Sequence, residues 1–332
     1  MERRWGYKVP LNFLEDLKFY LIFLFILSIL TMIIRIPYIV TVLVFSLIYI
    51  ILAMSYNLIL GYTGLFSLAH AAFFAVGAYT SALLSVDLKV QFIPALLLAG
   101  ISSMVAAYGI IKVALKTSYH SFGLVTLAFS SILALVYKNW VEITRGPMGI
   151  PGVPRPYLEL LSLRIEFFTD LQCYYLILTI TALSVWFLLK VFRSRIGRAL
   201  IAIRENQVLA ESVGINSKKY MTLAFVLGAF FAGIAGSLYV HYVRYINPES
   251  FSLSLTVTTI TMVIIGGQGG FKGVLITAIA LYMIPEFLRI SPDWRDVLFG
   301  IVLLVCVRFF PEGIEGAFKP LFKRKSEMTE NA

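Results

Sequence analysis

Residues 38–86 read YIVTVLVFSLIYIILAMSYNLILGYTGLFSLAHAAFFAVGAYTSALLSV, a run of 49 residues without one Asp, Glu, Lys or Arg. Roughly 20 helical residues cross a bilayer, so the run holds two crossings, and its one interruption is GYTG at residues 61–64. After that break Ala71, Ala75, Ala78 and Ala82 recur at helical spacing and form a smooth strip on which another helix packs closely. Ser67 and His70 fall in the first turns of the second crossing, expected over 65–86. A histidine at membrane depth is costly unless it faces a cavity or a partner, which leaves two readings. In one it is a functional group, beside helix-start N–H groups that attract a carboxylate near the bilayer midplane. In the other it is hydrogen-bonded to a neighbouring helix.

The rest of the chain repeats the apolar pattern. With 59% hydrophobic and 14% charged residues, it lies outside the range of soluble domains, where about a quarter of residues are charged. The expected fold is an all-α, polytopic transmembrane bundle. Apolar runs fall at 19–34, 38–60, 65–86, 92–111, 121–140, 171–191, 220–242, 252–267, 273–289 and 297–310, giving about ten crossings. The first run meets Arg35 and Pro37 and then a second long run, so it reads as a retained helix and not as a cleaved signal. Residues 1–18 and 311–332 are then polar end segments. Most of the 28 lysines and arginines fall on one side if both termini are cytoplasmic, which sets the orientation.

A net charge of +10 implies no nucleic-acid partner, because the basic residues sit in short loops beside apolar runs, where anionic lipid accounts for them. Cys173 and Cys306 have neither metal-site spacing nor the density of a disulfide scaffold, and no metal site is expected.

Between two crossings lies a polar segment, RSRIGRALIAIRENQVLAESVGINSKK at residues 193–219. Its six basic residues against two glutamates fit retention in the cytoplasm. Retention does not explain its punctuation. Asn206 is placed to cap a short helix and Gly214 to occupy the left-handed residue past its end, so a folded docking surface is the better reading. On the other side, residues 141–170 carry four prolines between Pro147 and Pro156. They favour a stiff path that either faces an external partner or simply connects.

Two glycine patterns complete the reading. Gly228, Ala232 and Gly236 recur every four residues, and AFFAGIAG at 229–236 echoes AFFAVGA at 72–78, a likeness that shared packing composition explains. VIIGGQGGFKG at 263–273 holds Gly266, Gly267, Gly269 and Gly270; it lacks the Gly-Lys-Ser/Thr order of a phosphate loop and reads as a helix break.

The ordered set GYTGLFSLAHAAFFAVGAY, SFGLVTLAFSSIL, GPMGIPGVP, GRALIAIRENQVLAESVGI, INPESF and IIGGQGG resembles the permease subunits of Liv-type branched-chain amino acid importers, over about residues 38–311. The long 141–170 loop resembles the M-type subunit. Ala69, Ser131 and Val274 depart from the residues common there. The resemblance implies a subunit of an ATP-binding-cassette system in a bacterial or archaeal inner membrane, with no catalytic residues and no cofactor in this chain. ATP and Mg would sit on a separate cytoplasmic ATPase. A second permease subunit would complete the pathway, and a periplasmic or surface-tethered binding protein would deliver the amino acid. It also implies an ATPase-coupling role for Arg198, Arg204, Glu205, Asn206, Ala210, Glu211 and Gly214. Gly61, Thr63, Gly64, Ser67 and His70 would line the pathway at the conserved break. Importers of urea or short amides are the nearest rival. A stand-alone secondary transporter is a rival of another class, and an enzyme using His70 lacks any nearby acid, nucleophile or ligand pair.

Overall fold

The computed structural model describes residues 13–33, 36–117, 119–160, 163–287, 292–309 and 313–316. The chain up to residue 12 and most of 311–332, both read as end segments, lie outside the described residues. In lipid every backbone polar group must be satisfied within its own segment, and apolar runs free of breakers therefore become helices. They are α1 (Phe13–Ile33), α2 (Pro37–Asn57), α3 (His70–Val86), α4 (Phe92–Ala114), α5 (Tyr119–Asn139), α6 (Val141–Thr144), α7 (Asp170–Arg193), α8 (Arg195–Glu205), α9 (Gln207–Ser212), α10 (Ser217–Val243), α11 (Leu253–Gly266), α12 (Lys272–Phe287) and α13 (Pro292–Phe309). Among the described residues six spans are long and apolar enough to cross a membrane: Pro37–Thr63, Phe92–Ala114, Ser121–Asn139, Asp170–Arg193, Ser217–Val243 and Pro248–Gly266. The protein is a multi-pass helical bundle.

Helices α2 and α10 form its centre. α10 packs on α3, α4 and α2, and α2 packs on α7 and α12. The two look-alike segments face each other. A Cβ on Gly77 would stand 2.3 Å from the Gly233 carbonyl oxygen, and one on Gly236 would stand 2.1 Å from that of Phe74. Only glycine lets the two backbones approach this closely, and van der Waals contact replaces the hydrophobic drive that lipid removes. Ala71, Ala75, Ala78 and Ala82 are all buried beside this crossing.

Three local features differ from expectation. The helix expected over 65–86 begins at His70: Gly64 is left-handed at φ +78°, the Leu68 N–H donates to Thr126 Oγ1 on α5, and the Ala69 N–H donates to Ser67 Oγ within the segment. The first helix begins at Phe13, six residues before its apolar run, and carries Asp16. The all-α reading holds for the bundle, but the 141–170 region adds two antiparallel strand pairs. β1 (Ile150–Pro151) pairs with β4 (Tyr245–Ile246), and β2 (Tyr157–Leu160) with β3 (Leu163–Glu166). The four-proline loop is therefore anchored to the end of α10.

Candidate functional site

The bundle has two ends, one marked by α8 and α9 and the other by the β2–β3 hairpin. At the first, α7 stops at Ser194, whose hydroxyl accepts the Ile196 N–H at 3.1 Å and starts α8. Asn206 then accepts the Leu209 N–H at 3.0 Å and starts α9, and Asn216 accepts the Lys219 N–H at 3.0 Å and starts α10. Gly214 adopts φ +88° just past α9, where a side chain would be strained. The caps predicted from Asn206 and Gly214 are formed. Ala210 is buried and fixes α9 on the bundle, while Val208, Leu209 and Val213 are 78%, 63% and 71% exposed. Around this apolar knob Arg198, Glu205, Gln207 and Glu211 are exposed too. Gln207 donates to the Glu211 carboxylate at 3.0 Å, and this bond leads the interactions holding that carboxyl below its usual range.

Behind the knob the two helix breaks meet. After α2 the helix widens into a π-turn over Leu58–Thr63 and ends at Gly64, left-handed at φ +78°. A Cβ on Gly61 would fall 1.9 Å from Asn57 Oδ1 and 2.5 Å from the Gly269 nitrogen. That space is taken by a two-way link: Asn57 Nδ2 donates to the Gly270 carbonyl at 2.7 Å, and Gly269 N–H donates to Asn57 Oδ1 at 2.9 Å. The Arg204 guanidinium donates to the Gly61 carbonyl and, at 3.2 Å, to Gln268 Oε1. Gly61 and the 266–270 glycines, read separately in the sequence, thus lie together beside the end of α8.

A charged layer closes the same end. Arg193 and Asp16 pair with side chains only 5% and 4% exposed, and Lys272 stands 3.7 Å from Asp16. Glu315 accepts the Gly273 N–H at 3.1 Å, and burial outweighs this bond to push its carboxyl above the usual range.

The other predicted pathway residues lie along α2. Thr63 donates to the Ile59 carbonyl, and its hydroxyl accepts the Leu65 N–H at 3.1 Å. Ser67 is buried, and its carbonyl accepts from Tyr56 Oη at 2.8 Å. His70 is buried against α2, with Nε2 3.2 Å from the Leu52 carbonyl and 3.0 Å from Ser55 Oγ. A carbonyl only accepts, so Nε2 carries the proton. The ring is thus hydrogen-bonded to α2, a neighbouring helix. Thr256 Oγ1 accepts the Ala71 N–H at 3.0 Å, occupying one of the helix-start donors proposed for a carboxylate. Among the described residues no group of three or more His, Cys, Asp or Glu is arranged to hold a metal ion.

Asn57, Gln268, Glu315 and His241 were not singled out by the sequence reading. Asn57 had a usable signal, as the amide at the end of a charge-free crossing. His241, at the hairpin end, bridges the Pro154 carbonyl at 2.8 Å and Ser81 Oγ at 3.0 Å.

Comparison with known proteins adds an independent finding. The family described as branched-chain amino acid transport system / permease component matches residues 38–307. The chain is 30% identical to the high-affinity branched-chain amino acid transport system permease protein LivM of Salmonella typhimurium, over 85% of this chain and 71% of the relative. It is 28% identical to the LivH permease protein of Escherichia coli, over 81% of this chain and 91% of that protein. A probable LivM of Methanocaldococcus jannaschii is 25% identical over 66% and 67% of the two chains. No solved structure matches the chain.

Proposed function

This chain belongs to the branched-chain amino acid transport permease family, and from that membership we propose that it forms half of the translocation pathway of an ATP-driven importer for branched-chain amino acids. On this reading it is the M-type subunit, crosses the inner membrane about ten times and keeps both termini in the cytoplasm. A second permease subunit completes the path. Cytoplasmic ATPase subunits carrying ATP and Mg dock at the α8–α9 end, and a binding protein delivers substrate at the hairpin end. The charge-free 38–86 run suits a zwitterion with an apolar side chain, since an ion of one sign would meet no counter-charge there.

The observation that carries this reading is the α8–α9 knob. Val208 and Leu209 stand in the open on a helix that is capped at its start, seated by Ala210 and placed at the end of an apolar bundle, and Val213 is exposed just past its end. Water disfavours that exposure, and a partner surface removes it. The chain's work is mechanical: ATP-driven closure of the partner displaces the knob, and the bundle shifts between two packings.

Reconstitution of this chain with its second permease, ATPase and binding protein in liposomes tests the proposal. Leucine uptake should require ATP and persist without an ion gradient. Val208→Asp with Leu209→Asp should weaken co-purification of the ATPase at least tenfold, the scale of a lost interface hot spot. Uptake that follows an ion gradient in the absence of ATP would defeat the proposal.

A further inference from the structure

Arg204 sits in the last turn of α8, one residue before the bend into α9, yet it does not share the exposed face of Val208 and Leu209. Its side chain turns back into the bundle and is half-buried. Its fork reaches two chain segments. Nη1 donates to the Gly61 carbonyl and lies 3.5 Å from the Gln268 carbonyl, while Nη2 donates to Gln268 Oε1 at 3.2 Å. Gly61 is among the last residues of the α2 helical run, where carbonyls have no partner further along the helix. Gln268 lies between the paired glycines of the α11–α12 connection. Asn57 independently ties the same two segments together through Gly269 and Gly270. The two breaks therefore behave as one body, and Arg204 fastens the docking loop to it.

The donor to Gly61 comes from 143 residues away, on the helix that leads directly into the exposed knob of α9. A planar guanidinium holds both acceptors at once, and charge-assisted bonds of this kind are about twice as strong as neutral ones.

We propose that Arg204 is a positioning residue that transmits displacement of α8–α9 to the ends of α2 and α11 together, because its guanidinium binds Gly61 and Gln268 simultaneously. The proposal rests on the importer reading above. Displacing α8 carries the guanidinium with it, and since Asn57 unites the breaks, α2 and α11 move in step. The small backbone of Gly61, Gly269 and Gly270 permits the close approach this requires.

The test has one arm that needs no partner and one that does. In the full-length chain alone, amide hydrogen exchange is followed at 58–64 and 266–271 for wild type, Arg204→Gln, Arg204→Lys and Gln268→Ala. Arg204→Gln should speed exchange at both segments about tenfold, whereas Arg204→Lys, a point donor without the fork, should protect one of the two. Gln268→Ala should deprotect 266–271 first, and the Arg204→Gln/Gln268→Ala pair should be non-additive. In the reconstituted complex, Arg204→Gln should lower leucine uptake per ATP hydrolysed about tenfold while the ATPase still co-purifies.

Unchanged exchange at both segments in Arg204→Gln overturns the proposal. So does raised exchange with unchanged uptake per ATP, which would leave Arg204 a static brace. Absence of ATP-driven uptake in the wild-type complex would defeat the importer reading itself, and the transmission role with it, while the exchange arm would still report whether the link exists.

Discussion

The two ends of the bundle are fastened by different chemistry. At the hairpin end the long loop is joined to the end of α10 mainly backbone to backbone: Ile150 pairs with Ile246, Pro151 with Tyr245, and Val153 N–H donates to the Arg244 carbonyl at 3.2 Å. At the α8–α9 end the joins are made by side chains: Asn57 and Arg204 on backbone carbonyls, Glu315 on the glycine turn, and Arg193 on Asp16. Backbone ladders tolerate most side-chain changes and hold one register. Side-chain links can exchange partners without unfolding a helix, at a net cost of about 1–3 kcal/mol each. The contrast assigns a fixed platform to the hairpin end and a movable joint to the α8–α9 end.

The sharpest way to break this contrast is Gly61→Val. The new Cβ would meet Asn57 Oδ1 at 1.9 Å and the Gly269 nitrogen at 2.5 Å, and neither is the tip of a long flexible chain. Separating the breaks unmakes both Asn57 bonds and the Arg204 contact, so a loss of about 3 kcal/mol or more is expected. A fluorescence-detected melt in detergent should show it as a clear fall in the midpoint. A wild-type melt would mean that the breaks can part freely, and the joint would not be one body.

His241→Ala probes the other end with a smaller effect. It removes a donor to the part-buried Pro154 carbonyl and an acceptor for the buried Ser81 hydroxyl, at an expected cost of about 1–3 kcal/mol. Because β1 and β4 remain paired, amide protection of Val153 should fall only a few-fold. If the loop instead exchanges freely, His241 and not the ladder holds it, and the contrast between the ends collapses.

What could be read from the sequence follows the same division. Crossings, small-residue strips and caps were legible because each is a local or periodic pattern: the alanines of α3, the Gly228–Gly236 spacing, Asn206 and Gly214. The ends of the broken helices were not. Within residues 64–69 the Ser67 carbonyl accepts from Tyr56 and the Leu68 N–H donates to Thr126, singly placed polar groups on two other helices that carry no periodic signal. The site suffered for the same reason. GYTG, Arg204 and GGQGG were each noticed, but their meeting depends on contacts spanning 64 and 143 residues. Asn57, which joins two of the three, looked like one amide in an apolar run.

The smallest expected effect bears on whether any side chain matters to the hairpin end's rigidity. Arg145 and Asp87 pair at 3.1 Å with side chains 42% and 48% exposed, a setting worth about 0.2–1 kcal/mol and weakened by salt. Arg145 also sits left-handed at φ +61°, just past α6, where a residue with a Cβ is strained by about 1–2 kcal/mol. The two terms have opposite signs and separate cleanly. Arg145→Ala keeps the strain and loses the pair, so it should lower the melting midpoint slightly at low salt and not at all in about 1 M salt. Arg145→Gly loses the pair but relieves the strain, so it should match or exceed wild type. If both variants instead release the 150–154 amides to exchange, the loop hangs on an exposed ion pair, and the hairpin end is no more fixed than the joint opposite it.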